Sequence, residues 1–206
     1  MALLHRATIV PTKSELVAAW LPSRPWRPPG AVVGGVSYRL DDPAGEVGME
    51  AFLLTDAGGV TVHVPLTYRD RPRIGAERHL LGTMEHSVLG TRWVYDGCAD
   101  PVWAATLATT IATGGTQAEE VVDDDGRLVP RDPAVKVRGS GTGAAATATA
   151  GPWRGAEDDT VTTLAGDHAE LVVVRRVGTP VPHPLTLTAS WGDPDATATL
   201  AGLRLA

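Results

Sequence analysis

Residues 47–68, VGMEAFLLTDAGGVTVHVPLTY, decide the fold class. Val60, Val62, Val64 and Leu66 alternate with Thr61, His63, Pro65 and Thr67, the period of two that lays one face of a strand on a core. The TDAGG run at 55–59 supplies turn residues, so 47–66 reads as a hairpin. Upstream, 31–40 is strand-like and is joined to 47–55 by DDPAGE, whose Asp, Pro and Gly suit a turn. Downstream, VLGTRWVY at 88–95 is a further strand. Near the C-terminus Leu185, Leu187, Ala189 and Trp191 alternate with Thr186, Thr188 and Ser190. The run Leu171, Val172, Val173, Val174 is continuously apolar, the pattern of a strand buried on both faces, although a helical turn fits the same four residues.

Two helices interrupt the strands. Thr12 and Glu15 form a capping-box pattern, Leu16, Ala19 and Trp20 share a face, and Pro22 ends the run. Asp100 followed by Pro101 is an N-cap with proline at the first helical position. Trp103, Leu107, Thr110 and Ile111 then form a stripe before Gly114 and Gly115. Two main helices among about ten strands define an α+β class built mainly of antiparallel β-sheets. Residues 1–116 are expected to form one α+β domain, and 117–206 a β-rich region packed on it. GSGTGAAATATAG at 139–151 suits either a flexible linker or an edge hairpin.

Charge narrows the functional classes. The chain has 206 residues, with 18 Lys+Arg against 24 Asp+Glu, a net charge of -6. Residues 1–100 carry a net -1 and residues 101–206 a net -5, a balance that repels nucleic acid and anionic membrane. No apolar run reaches the roughly 18 residues of a membrane span, and the first residues lack a signal-peptide pattern. A cytoplasmic location is expected. The single cysteine, Cys98, allows no internal disulfide.

Few residues suggest chemistry. The six histidines form no metal-binding spacing, and 77–86, which holds His79 and His86, reads as a solvated loop. Asp123, Asp124, Asp125 and Gly126 read as an acidic hairpin turn, since the rest of a calcium-loop pattern is missing. Cys98, just before a helix start, is a conceivable nucleophile with no histidine in its segment to serve as base. Neither metal nor cofactor is expected. Arg69, Arg71 and Arg73 form the basic cluster with Arg78, and Trp26 and Trp153 lie in Pro/Arg/Gly contexts that could display an indole to a sugar or a partner.

Three segments taken together carry a family resemblance: PTKSELVAAWLPSRPWRPPG (11–30), HVPLTYRDRP (63–72) and LGTMEHSVLGTRWVYDGCADPVWAATLATTIATGG (81–115). Their order resembles the N-terminal cap region of the actinobacterial-type maltokinases. There, a W-L-P…R-W segment, a strand ending in P-L-x-Y and a Y-D-[AG]…D-P helix start recur. Here these are Trp20, Leu21, Pro22 and Trp26; Pro65, Leu66 and Tyr68; and Tyr95, Asp96, Gly97, Asp100 and Pro101. The likeness covers roughly residues 10–115.

The resemblance implies that residues 117–206 hold a remnant of a kinase N-lobe sheet. A Leu-Lys-x-x-Arg-Arg strand of those kinases is matched by Leu171, Val172, Val173, Val174, Arg175 and Arg176, which puts Val172 at the nucleotide-binding lysine. A branched apolar side chain cannot neutralise phosphate charge, and no His-Gly-Asp catalytic loop occurs in the chain. The expectation is a bacterial, non-catalytic binding or regulatory module linked to sugar or α-glucan metabolism. It would use a protein partner or self-association, through sheet edges or exposed tryptophans. The alternative is a protein or enzyme that binds a sugar or phosphate, with Arg69, Arg71 or Arg73 converging on His63 or His79.

Overall fold

The computed structural model describes residues 2–4, 7–124, 127–143, 152–192 and 196–206, with backbone only for 2–4, 123 and 124. In chain order the elements are β1 (Ala2–Leu4), β2 (Ile9–Val10), α1 (Lys13–Trp20), β3 (Val32–Leu40), β4 (Gly48–Asp56), β5 (Thr61–Arg69), β6 (Leu80–His86), β7 (Gly90–Asp96) and α2 (Pro101–Thr113). Then come β8 (Glu120–Asp124), β9 (Arg127–Arg131), β10 (Lys136–Gly139), β11 (Arg154–Glu157), β12 (Val161–Ala165), β13 (Ala169–Val174), β14 (Leu185–Ser190) and β15 (Thr197–Leu205). A first six-stranded sheet has the order β2-β6-β7-β5-β4-β3, a second β10-β14-β15-β13-β12-β11, and a small third β1-β8-β9. All pairings inside the two large sheets are antiparallel, whereas β1 runs parallel to β8. The α+β class with two helices stands. Among the described residues no helix is long and apolar enough to cross a membrane.

Layering follows from the side-chain alternation. On the even-numbered face of β5, Val62, Val64 and Leu66 pack with Leu16, Val17, Trp20 and Leu21 from α1 and the turn after it. The capping box at Thr12 and Glu15 is made in both directions and fixes where α1 starts. On the opposite face α2 lies between the two large sheets. Trp103, Ala104, Leu107, Ala108 and Ile111 share one cluster with Tyr38, Met49 and Leu53 of the first sheet and Leu171, Val173, Leu187 and Leu203 of the second. A helix enclosed this way must be apolar nearly all round, so the alanines are buried together with the expected stripe.

The expected strand at 88–95 is β7. Its partner β6 occupies most of the segment read as a loop, because Leu81 and Met84 pack toward α1 and β7 supplies the backbone bonds. Residues 171–174 lie in β13. Leu171 and Val173 are fully buried, but Val172 is only half-buried, so the outer face is covered in part. Asp123 and Asp124 lie in β8, whose register pairs Asp124 with Arg127 of β9; Asp125 and Gly126, the rest of the expected acidic turn, lie outside the described residues.

Residues 139–143 are not a free linker, and 144–151 lie outside the described residues. The Gly141 and Gly143 amides donate to the carbonyls of Ile111 and Ala112, satisfying groups that the end of α2 leaves unpaired. That approach requires glycine: a Cβ on Gly139 or Gly141 would overlap the α2 backbone, while one on Gly143 would meet nothing within 4 Å. Gly139→Ala should therefore cost about 1–3 kcal/mol of unfolding free energy in chemical denaturation. Gly143→Ala should be close to neutral.

Candidate functional site

The two large sheets meet at a seam built on β5. The first half of β5 runs past the end of β7 and takes residues 175–177 as its neighbour: the His63 amide donates to the Arg175 carbonyl and the Val177 amide to the Thr61 carbonyl. Pro65 sits where one neighbour ends and the next begins, so the missing N–H of a proline in a central strand leaves no ladder position empty. At this seam Arg175 is completely buried. Its Nη2 donates to both oxygens of Asp96 at 2.6 and 2.8 Å, and its Nε to the Thr162 hydroxyl at 2.7 Å. The guanidinium lies 4.5 Å from the centre of the Trp26 ring, whose N–H donates to Glu157 at 3.0 Å. Arg176 donates to the carbonyls of Trp26 and Arg27.

His63 lies beside this pair with no exposure. Its Nδ1 faces the Val174 carbonyl at 3.2 Å and its Nε2 the Tyr38 hydroxyl at 3.0 Å. A carbonyl can only accept, so the proton sits on Nδ1 and Tyr38 donates to Nε2. Burial, reinforced by the Arg175 charge, pushes the imidazole pKa down to about 3. Cys98 is buried as well, and burial raises its thiol far above the range of a reactive nucleophile.

The arginines singled out from sequence do not converge on a histidine. Arg69 grips Asp100 through Nε and Nη2 at 2.7 and 2.8 Å, and Arg73 donates to the Ala99 carbonyl at 2.8 Å while lying 4.0 Å from the same carboxylate. Asp100 also accepts from Thr67 and caps α2 through the Val102 amide. Burial alone would raise this carboxyl, but the hydrogen bonds and charge of Arg69, then Arg73, hold it below the usual range. Arg71 is exposed beside Asp70. Trp26 is wholly buried rather than displayed, and Trp153 is half-buried against the ring-sized gap left by Gly166. Among the described residues no group of His, Cys, Asp and Glu could hold a metal. Val172 pairs with Thr163 and Gly202 on the outer face of the second sheet, where Gly202 admits Val181 and His183.

Two openings lie on the α1 side of the first sheet, separated by Lys13. At the floor between them Glu50 is buried and accepts from Lys13, Arg39, Tyr68 and Ser37. One opening, of about 730 Å³, is bordered by charges of both signs, including Lys13, Arg39, Asp42, Glu46 and Arg71. The other, of about 700 Å³, is mostly apolar and lies between α1 and the edge strand β3, over Gly35, Phe52 and Leu54. Sequence reading missed both. The signal available for the first was the mixed charge of 39–46, Arg39, Asp41, Asp42 and Glu46, which borders it. For the second it was the Gly34-Gly35 pair, which strips side chains from a strand.

The layered fold is of the α+β class, with a second antiparallel sheet joined to the first at the seam. Residues 20–100 match the model of the maltokinase N-terminal cap domain, and this part of the chain is similar to that domain. The match runs from Trp20, which packs edge-on to Trp26, to Asp100, the cap of α2. No curated protein matches the chain.

The seam sets two measurable outcomes. Arg175→Met leaves Asp96 buried without its partner and should cost about 3–5 kcal/mol, whereas adding Asp96→Leu should recover part of that loss in a double-mutant cycle of denaturation midpoints. Between pH 6.5 and about 3 the unfolded chain takes up a proton at His63 that the folded chain refuses. Wild-type stability should therefore fall as pH is lowered through that window, with a shallower fall for His63→Gln than for the parent.

Proposed function

We propose that this chain is a non-catalytic binding module related to the maltokinase cap, serving sugar or α-glucan metabolism through a protein partner in the cytoplasm. The observation that carries the reading is the use made of the Leu171–Arg176 stretch, which aligns by resemblance with a nucleotide-binding strand. Val172 is apolar and half-buried beside Gly202, and both arginines are engaged by the seam. No cation is left on that strand for a phosphate. Phosphoryl transfer rests on positioning and charge stabilisation, and a strand without a free cation supplies neither. In this reading the second sheet is a kinase N-lobe remnant that has become a structural buttress for the cap. Its support is the β12–β13 hairpin, which leads into the arginine pair.

The test pairs two measurements on the purified chain. Incubation with γ-labelled ATP and maltose, glucose or trehalose should give no labelled sugar. Thermal shift with ATP should show no stabilisation at concentrations where a binder at a hundred times its Kd would add about 2.7 kcal/mol. Sugar phosphorylation by the pure chain, abolished by a substitution in the chain itself, would refute the reading.

A further inference from the structure

The free edge of β3 is lightly protected: Arg39 stands near its far end, and a register shift separates Val32 from Gly34 in the pairing with β4. From Val32 to Gly35 the strand is exposed, and these four residues include no proline and no charge. Among the described residues the backbone bond made to this strand from outside its sheet is the one from the Ala118 amide to the Arg39 carbonyl, at the far end. Val33 is 69% exposed. An uncovered apolar edge of this kind templates another strand.

Beside that edge lies the apolar opening of about 700 Å³ beneath α1. Its form depends on the glycines. Gly35 shares a face with Leu54 and Val62, and a Cβ there would meet the Leu54 side chain at 2.6 Å; at Gly34 a Cβ would meet nothing within 4 Å. The strand thus offers backbone without side chains directly over an apolar floor, the arrangement of a site where another chain's side chains lie across it. The charged residues bordering this opening are Lys13 and Arg27, both cations, in a chain of net charge -6. Lys13 is paired with Glu50, whereas Arg27 is exposed at the end next to the start of β3.

We infer that the β3 edge and the adjoining opening bind an extended segment of a partner protein that adds antiparallel to β3. Its alternating apolar side chains enter the opening against Phe52 and Leu54, and its acidic C-terminal end meets Arg27. A second copy of this chain fits less well, because β3 itself has glycines where the opening needs side chains. The inference deepens the module reading and rests on it for the need of a partner.

The test uses the full chain and a short capped peptide of alternating valine and threonine ending in glutamates, followed by fluorescence anisotropy. The expected result is salt-sensitive binding that the same peptide loses when N-methylated along one edge. Val33→Lys, which puts a charge on an already exposed position, should weaken binding about tenfold or more, and Arg27→Glu should weaken it for the acidic peptide but not for one ending in lysines. Circular dichroism and denaturation midpoints close to those of the parent keep either loss from being read as unfolding. Absence of binding, or binding that Val33→Lys leaves unchanged, overturns the strand-docking assignment and leaves the module reading standing. A concentration-dependent dimer abolished by Val33→Lys overturns it in favour of self-pairing.

Discussion

A single buried charge sets the terms for the rest of the molecule. Arg175 has no exposure, and a guanidinium in that position is tolerable only if its surroundings supply a counter-charge, acceptors and a polarisable face. Asp96 gives the first, Thr162 the second and the Trp26 ring the third. These partners come from the first sheet, the second sheet and the segment after α1. The ion pair therefore ties the layers together at one point.

Around this point the same logic repeats at smaller scale. Asp100 is fully buried and holds Arg69, Thr67 and the start of α2 together. Glu50 gathers Lys13, Arg39, Tyr68 and Ser37 under α1. Each carboxylate sits on a strand or at a helix start and draws cations from neighbouring elements. Several polar groups that look from sequence like a ligand site are thus the framework.

Local patterns were legible where the deciding physics is local. The β4–β5 hairpin followed from alternation and TDAGG, α1 from its capping box, and α2 from Asp100-Pro101 and the glycines after it. Strand β6 was not legible, because Leu80, Leu81 and Met84 reveal their role only once α1 and β7 are placed beside them. Residues 139–143 looked featureless for the opposite reason. Glycine carries no side-chain signal, and the need for it comes from a helix end roughly thirty residues upstream. Trp26 reads as displayed among prolines and arginines, yet it is covered by an arginine far along the chain. Of the candidate site only the basic cluster was visible, and its cations proved to be bound to Asp100, Ala99 and Asp70.

The seam also has an implication for synthesis. Arg175 reaches Asp96 across 79 positions, and Arg176 reaches Trp26 across 150. As the polypeptide leaves the ribosome from its amino end, the cap strands emerge first, with an acid and an indole awaiting a cation not yet translated. Closure of such distant pairs is slow compared with hairpin formation. Until the second sheet emerges, the part of the chain made first holds Asp96 and Trp26 without the cation that later covers them.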